Sequence, residues 1–258
     1  MSFILSEIQN GVLILKLNRP DLLNSFNREM ALNFQKELDR AQNTQEIRAV
    51  LLTGEGRAFC AGQDLQEAIS ADGPELHRIV KEHYNPIIEK IRNLRKPVIC
   101  SVNGVAAGAG ANIALACDIV IACKSASFIQ AFSKIGLIPD SGGTFTLPRL
   151  IGFQKASALM MLGDKILAEE AEKMGMIYKV EEDDNLWTTA LNLAEKMAKM
   201  PTKGLWLTKL ALNSSLNNDL TKQLDLEEKL QTEAGQSFDY NEGVNAFLEK
   251  RKPNFKGV

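Results

Sequence analysis

Two short apolar-rich runs at the start of the chain predict β-strands. These runs, Phe3–Gln9 and Val12–Asn18, are separated by Asn10-Gly11, a dipeptide typical of a two-residue hairpin turn. Apolar residues at helical spacing then predict a helix over Asn27–Ala41, and the apolar run Ala49–Thr53 predicts a buried strand. We therefore expect the chain to open with a hairpin and to continue with helix and strand in alternation.

The alternation of strand and helix continues to about residue 122. Leu76–Leu94 has the pattern of a helix, and Pro97–Val102 has that of a strand. Ala111–Ala116 is a short apolar helix after a glycine-rich turn, and Ile119–Ala122 is a further strand. Such alternation favours parallel sheets covered by helices, so the predicted fold class is α/β.

The strand signal fades after Gly152, and the rest of the chain is predicted to be mostly helical. The predicted helices of this part are Ala156–Leu162, Ala168–Lys173, Leu186–Met200, Lys203–Ser215, Leu220–Glu233 and Asn241–Lys250. We therefore predict a mixed α/β core over residues 1–200 and a C-terminal helical region over residues 201–258.

The composition excludes several classes of function. Hydrophobic residues make up 45% of the chain and charged residues 24%, and the net charge of −2 offers no basic surface to nucleic acid. The first residues lack the basic start of a secretion signal, and no apolar run is long enough to span a bilayer. We expect a cytoplasmic protein without nucleic-acid or membrane partners.

Cysteine and histidine do not have the spacing of a zinc site. The four cysteines form no Cys-x-x-Cys pair and are expected to be buried thiols. The two histidines, His77 and His83, lie six residues apart in one predicted helix, where they do not align on one metal. We therefore predict no metal site and place both histidines at the surface.

Two loops of small residues, Phe59–Leu65 and Gly104–Gly110, each follow a predicted strand of one sheet. The second contains Gly108-Ala109-Gly110 but lacks the last small residue of a dinucleotide-binding turn, because Ile113 occupies that position. Close packing of a helix on a sheet is one explanation of such loops. The other is that both loops converge and present one backbone N–H each to a developing anion, as in an oxyanion hole.

Asp140 is a carboxylate in an otherwise apolar stretch, between Pro139 and the turn Ser141-Gly142-Gly143. One explanation is that it caps the N-terminus of the following helix, a common role of Asp. The other is that it is partly desolvated, so that its pKa rises toward the range of a general acid or base. A second acid, Asp64, is expected to cap the helix that follows its own loop.

Five motifs in one order resemble the enoyl-CoA hydratase/isomerase family, also called the crotonase superfamily. The resemblance extends from about Phe3 to Lys256, and its motifs are LNRPDLLNSF, AFCAGQDL, NGVAAGAGANIALACDI, GLIPDSGGT and AFLEKRKPNF. It implies the crotonase (ClpP-like) fold, a spiral of ββα units with a C-terminal helical region used in trimerisation. It also implies an acyl-CoA substrate, no separate cofactor because CoA is part of the substrate, and a homotrimer or a dimer of trimers.

The same resemblance implies roles for individual residues. The backbone N–H groups of Gln63 and Ala109 would form the oxyanion hole for the thioester carbonyl. The residues implied in substrate or CoA binding are Leu22, Leu23, Ala61, Asp64, Leu65, Phe132, Phe247 and Lys250. The last two of these match positions that contact CoA bound to a neighbouring subunit.

Two departures from the family's hydratases indicate the type of reaction. Where those enzymes carry two glutamates that activate water, this chain has Asn112 and Phe132, and neither side chain is a general base at neutral pH. Asp140 remains, at a position where isomerases of the family often have an acid, and one carboxylate suffices to move a proton between two carbons. Phe132 fits a pocket for an unsaturated ring, and a plain core phenylalanine is an equal explanation.

The resemblance therefore implies an acyl-CoA isomerase. It is strongest to the isomerases of bacterial phenylacetate degradation, which convert the ring-1,2-epoxide of phenylacetyl-CoA to an oxepin thioester. Such enzymes can also shift double bonds from the β,γ to the α,β position. An enoyl-CoA hydratase of fatty-acid or aromatic degradation is the alternative within the family, and a non-catalytic CoA-binding protein is the alternative of another class.

Overall fold

The computed structural model describes residues 2–258, and its first element is the predicted hairpin. Strands β1 (Ile4–Gln9) and β2 (Val12–Leu17) pair in antiparallel orientation. Asn10 and Gly11 between them have positive φ angles of 49° and 80°, as the favoured two-residue hairpin turn requires. The hairpin predicted from the Asn-Gly dipeptide is thus confirmed.

Parallel strands extend this hairpin into a six-stranded sheet with the order β1-β2-β3-β5-β7-β10. The added strands are β3 (Ala49–Gly54), β5 (Val98–Val102), β7 (Ile119–Cys123) and β10 (Lys179–Glu181). β3 and β5 are buried along their whole length, which explains why they are continuous apolar runs in the sequence.

A second sheet, with the order β4-β6-β8-β9, has four strands that the sequence pattern does not indicate. These strands are β4 (Ala58–Cys60), β6 (Val105–Ala107), β8 (Ser127–Ile129) and β9 (Lys165–Leu167). Each has three residues, too few to show a periodicity. The prediction of a loop over Phe59–Leu65 is wrong at its first two residues, which belong to β4, and at Leu65, which begins a helix. The prediction of a loop over Gly104–Gly110 is likewise wrong at the residues of β6 and at Ala109 and Gly110, which begin another helix.

Helices connect and cover the two sheets. They are α1 (Arg28–Asn43), α2 (Leu65–Ile69), α3 (Leu76–Arg78), α4 (Asn85–Asn93), α5 (Ala109–Ala116), α6 (Gly143–Ile151), α7 (Phe153–Leu162), α8 (Ala168–Lys173), α9 (Leu186–Ala198), α10 (Thr202–Ser215), α11 (Leu220–Gly235) and α12 (Phe238–Leu248). A π-helical segment, Ile79–Tyr84, joins α3 to α4, so the single helix predicted over this region is interrupted in its hydrogen-bonding pattern. The sequence did not predict α6, which begins at a glycine and contains Pro148.

The six-stranded sheet is covered on both faces. Leu13 and Leu15 of β2 belong to the main apolar core, to which α1 and α5 also contribute. Val12 and Ile14 lie on the opposite face and pack in a smaller cluster with Ala190 of α9. This arrangement confirms the predicted α/β class. The division of the chain between residues 200 and 201 stays a prediction.

The burial of one titratable side chain differs from the prediction. The four cysteines are all buried, as expected, and His77 is exposed. His83, however, is fully buried, so its predicted surface position is wrong. It lies in the π-helical segment with Nε2 at 3.2 Å from Arg28 Nη1, and burial, with help from that guanidinium, lowers the pKa of the imidazole. Among residues 2–258, no helix combines the length and the apolar character needed to cross a membrane.

Candidate active site

Two neighbouring strands of the second sheet bring the small-residue loops together. β4 and β6 pair in parallel, so both loops leave the sheet at the same edge. Gly62 follows β4 with φ at +95°, and a Cβ built on it would lie 2.9 Å from Ala107 O and 3.5 Å from Ala109 N. The absence of a side chain at Gly62 therefore permits the close approach of the two loops. The two loops converge as predicted. The strands that directly precede them, however, belong to the second sheet and are not the strands predicted from the sequence.

Each loop carries a backbone N–H without a protein partner. Gly62 O accepts a hydrogen bond from Phe26 N at 2.7 Å, and Asp64 N donates to Phe26 O at 2.8 Å. The amide of Gln63 between them donates to no other group of residues 2–258. Ala109 is the first residue of α5, where an amide has no acceptor within the helix. Two free amides thus belong to adjoining loops, an arrangement that suits an oxyanion hole.

Phe132 packs against the second of these loops. Gly108 has φ +53° and ψ −128°, a backbone conformation that residues with a side chain rarely adopt. A Cβ built on Gly108 would lie 3.8 Å from Phe132 Cζ, and only 7% of Phe132 is exposed. The ring therefore forms an apolar surface beside the turn that precedes Ala109. Both explanations of Phe132, pocket wall and core residue, are compatible with this position.

Asp140 is not a helix cap. The helix α6 begins at Gly143, and its N-cap residue is Gly142, which has no side chain that could cap the helix. The carboxylate of Asp140 accepts instead from Ser141 Oγ at 2.8 Å. Burial raises the pKa of the Asp140 carboxyl above its ordinary value of 3.8, and the hydrogen bond from Ser141 opposes this shift only in part. Of the two explanations for Asp140, the structure contradicts the cap and leaves the desolvated acid.

Asn112, where family hydratases have a glutamate, is buried, and both ends of its side-chain amide are hydrogen-bonded. Its Nδ2 donates to the backbone oxygen of Asp140 at 2.9 Å, and its Oδ1 accepts from Gln130 Nε2 at 2.8 Å. Only 2% of Asn112 is exposed. The side chain therefore connects α5 to the Asp140 turn.

Tyr84 is a residue of the site that the sequence analysis missed. Its hydroxyl donates to Gln63 Oε1 at 2.8 Å, and Gln63 Nε2 donates in turn to Glu67 at 3.2 Å. Burial raises the pKa of Tyr84 well above its ordinary value, and the negative charge of Asp140 raises it further. Burial likewise raises the pKa of the Cys60 thiol to about 12, which argues against a nucleophilic role. The sequence does offer one indication of Tyr84. It falls within a predicted helix, and a tyrosine hydroxyl on the buried face of a helix requires a hydrogen-bond partner.

The residues implied in CoA binding adjoin Gln63. Ala61 N donates to Leu23 O at 2.9 Å, so the loop that carries Leu22 and Leu23 lies against the loop Ala61–Leu65. Leu22 and Leu65 are 45% and 52% exposed and form apolar surface there. Their contact with CoA stays a prediction.

Asp64 caps α2, as predicted. Its carboxylate accepts from the amides of Gln66 and Glu67 and forms an ion pair with Arg19 at 2.9 Å. Partial burial raises the pKa of this carboxyl, but the bonds from Arg19 and from the Glu67 amide outweigh burial, and the net pKa is lowered. Arg19 is a second side chain of this region that the sequence analysis missed, because nothing in its local pattern indicates a partner so distant in the chain.

Phe247 and Lys250 lie in a different part of the chain. Phe247 belongs to α12 and is 82% exposed. It lines a groove of about 430 Å³ with residues of α10, α11, α12 and the C-terminal tail and with Pro201 before α10, among them Gly204, Ala234, Tyr240, Val244 and Phe255. Lys250 follows the end of α12 and is exposed. Among residues 2–258, those that line the groove of Phe247 include none of the loops around Gln63. The contact of Phe247 and Lys250 with a neighbouring subunit's CoA stays a prediction.

Comparison with known proteins agrees with this fold. A sequence profile described as enoyl-CoA hydratase/isomerase matches residues 7–258. The 1,2-epoxyphenylacetyl-CoA isomerase of Escherichia coli is 52% identical over 100% of this chain and 99% of its own length. The 2,3-dehydroadipyl-CoA hydratase of the same organism is 35% identical over 100% of both. The crystal structure of an enoyl-CoA hydratase from Polaromonas sp. JS666 superposes with a TM-score of 0.91 at 35% identity, covering 98% of this chain and 99% of that one. The chain therefore belongs to the enoyl-CoA hydratase/isomerase family, has its crotonase fold, and is an enzyme.

Proposed function

We propose that this enzyme isomerises acyl-CoA thioesters through an enolate and needs no separate cofactor. The observation that carries the proposal is the desolvated carboxylate of Asp140. The turn that bears it is bonded to Asn112 of α5, and the same helix begins with the free amide of Ala109. An acid/base and an anion-binding amide are thus attached to one short helix.

The proposed reaction moves one proton. Asp140 removes it from the carbon next to the thioester carbonyl, and the electrons of that C–H bond make the carbonyl oxygen negative. The N–H groups of Gln63 and Ala109 stabilise this charge more strongly in the transition state than in the substrate. The electrons then return through the conjugated system, and Asp140 delivers the proton to the γ carbon. A β,γ double bond becomes α,β, and the carboxylate is regenerated.

Two observations favour isomerisation over hydration. Activation of water needs a base that holds the water. The amide nitrogen and the amide oxygen of Asn112 are already hydrogen-bonded, to Asp140 O and to Gln130 Nε2. Phe132 places an apolar ring beside Gly108, at the other position where hydratases carry a glutamate. The hydratase relatives have the same fold, so fold alone does not separate the two reactions.

The ring-1,2-epoxide of phenylacetyl-CoA is the substrate that we propose first, with the oxepin thioester as product. The carbon–carbon bond of the epoxide opens to give the seven-membered oxepin ring, and Asp140 then moves one proton from the α carbon to the γ carbon of the ring, so that the ring double bond at the β,γ position becomes α,β to the thioester. The full-length similarity to the Escherichia coli isomerase supports this substrate, and the buried aromatic ring of Phe132 is compatible with an unsaturated ring. A product assay that offers the epoxide and a β,γ-unsaturated hexenoyl-CoA in parallel, read by chromatography and mass spectrometry, tests the choice. Conversion of the hexenoyl thioester alone would contradict the epoxide as substrate while leaving the isomerase proposal intact.

The Asp140→Asn variant tests the chemistry. Loss of the acid/base should lower kcat by about 10²–10⁴-fold, the usual contribution of such a group. Calorimetry with octanoyl-CoA, a saturated thioester that cannot isomerise, should give an unchanged Kd. Asp39→Asn, which removes an exposed carboxylate paired with Lys90, is the matched control and should keep the wild-type kcat. Near-normal turnover by Asp140→Asn, or fast hydration of crotonyl-CoA by the wild type, would contradict the proposal.

We further propose a trimeric assembly, alone or paired into a hexamer, in the cytoplasm. Large apolar side chains of α6 and α7 are exposed in the single chain, and burying them would be favourable. They are Phe145, Leu150, Phe153, Met161 and Leu162. Sedimentation equilibrium gives the assembly directly, and a monomer at micromolar concentration would contradict it.

A further inference from the structure

The backbone oxygen of Asp140 accepts two hydrogen bonds. One comes from Gly143 N at 2.9 Å and closes the turn, and the other comes from Asn112 Nδ2, also at 2.9 Å. A carbonyl oxygen has two lone pairs, so both acceptor sites are filled. The position of Asp140 is therefore defined by its own turn and by one side chain from α5.

This turn is held in an unfavourable conformation. Ser141 and Gly142 both have positive φ, at 52° and 71°, and Ser141 is not a glycine. Backbone of this kind persists only where its surroundings fix it. The bond from Asn112 is one such restraint, because it attaches the residue before Ser141 to a helix that is buried along its whole length.

The surroundings of Asn112 permit little change. Any Cβ at Gly143 would overlap the Asn112 amide, so the turn packs directly on this side chain. The amide orientation is fixed on the other side by Gln130, whose Nε2 donates to Asn112 Oδ1 at 2.8 Å. The chain Gln130–Asn112–Asp140 thus runs through buried groups to the backbone of the proposed acid/base.

We propose that Asn112 is a positioning residue: it holds the Asp140 turn against α5 and so keeps the carboxylate in its half-buried place. This inference rests on the proposed function, in which Asp140 moves the proton. It gives Asn112, at the position of a hydratase glutamate, a role in isomerisation. Gln130 supports that role by fixing which end of the Asn112 amide faces the turn.

The test compares Asn112→Ala with Asn112→Asp, which keeps the shape of the side chain and removes its N–H donors. The control is Asn213→Ala, because Asn213 Nδ2 also donates to a backbone oxygen, Arg92 O at 2.9 Å, and joins two helices, α10 and α4, that carry no proposed site residue. Both Asn112 variants should lose about 10–100-fold in kcat, as expected when a catalytic group is misplaced by an ångström or less. KM should change less than kcat, and Asn213→Ala should keep the wild-type kcat.

The pH profile separates positioning from general stability. A released turn exposes Asp140 further to water, so the acidic limb of kcat/KM should move to lower pH in Asn112→Ala, which adds no charge beside Asp140. Asn213→Ala should leave the limb in place whatever its effect on unfolding. An Asn112→Ala variant with the kcat and the limb of Asn213→Ala would overturn the inference while Asp140→Asn stays inactive. An active Asp140→Asn enzyme would instead overturn the proposed function.

Discussion

Gly62 sets the distance between the two loops of the proposed oxyanion hole, and Gly62→Ala should disturb that distance in a calculable way. The new Cβ would lie 2.9 Å from Ala107 O, whereas ordinary contact begins at 3.4 Å, so the loops must separate by about 0.5 Å. The backbone at φ +95° adds about 1–2 kcal/mol, because a side chain is unfavourable in the left-handed region.

A separation of this size is large on the scale of the site. Donors of an oxyanion hole act when they lie about 2.7–3.1 Å from the oxygen, a window narrower than the expected displacement. One of the two amides, Gln63 or Ala109, should therefore lose its bond to the enolate oxygen. Loss of one such donor lowers kcat by about 10²–10³-fold, which is the upper limit of the expected effect because the loops can relax in part.

The assay follows the absorbance of the α,β-unsaturated thioester formed from a β,γ-unsaturated hexenoyl-CoA, with urea unfolding measured on the same samples. Gly175→Ala is the matched control. Gly175 has φ +79°, and its nearest foreign atom to a new Cβ is Leu150 O at 3.7 Å, an ordinary contact at the end of α8. It should lose stability by about 1–2 kcal/mol and keep its kcat. Equal kcat values for the two variants would refute the reasoning about the loops.

Two further predictions concern the groups around this hole. The raised pKa of Asp140 means that its ionised form destabilises the fold, so Asp140→Asn should be more stable than the wild type at pH 7. That gain should shrink as the pH falls through the raised pKa and vanish below 3.8, where the carboxyl is protonated in both folded and unfolded chains; thermal melts across pH measure it. Tyr84→Phe removes the donor to Gln63 Oε1 and should cost about 1 kcal/mol in urea unfolding, with a decrease in kcat.

Local sequence signals predicted the parts of the fold that local physics determines. The Asn10-Gly11 turn needs positive φ at both residues, and those residue types tolerate it best. The strands β3 and β5 are apolar throughout because both of their faces are covered. The Asp64 cap was also predictable, since the side chain bonds to amides two and three residues ahead.

Features that depend on distant contacts were not predictable in this way. The strands of the second sheet are too short to show a pattern, yet the pairing of β4 with β6 decides that the two loops meet. Burial of His83 depends on its packing near Arg28, and the bond of Tyr84 to Gln63 spans 21 residues of chain. The role of Asp140 remained ambiguous in the sequence because a cap and a desolvated acid need the same residue before a turn.

The helix α5 relates the two halves of the proposed chemistry. Its first residue, Ala109, carries one of the two amides of the proposed oxyanion hole, and Asn112, three residues later, donates to the backbone oxygen of Asp140. Residues so spaced lie about one helical turn apart, so α5 carries one amide of the proposed anion site at its start and, through the bond from Asn112, holds the turn that bears the proposed acid/base. A glutamate at position 112 would offer a carboxylate there, whereas asparagine offers the N–H donor that the Asp140 carbonyl accepts. The exchange of one side chain at this position therefore removes a base for water and adds a support for the proton carrier, which is the physical basis for expecting isomerisation from a fold shared with hydratases.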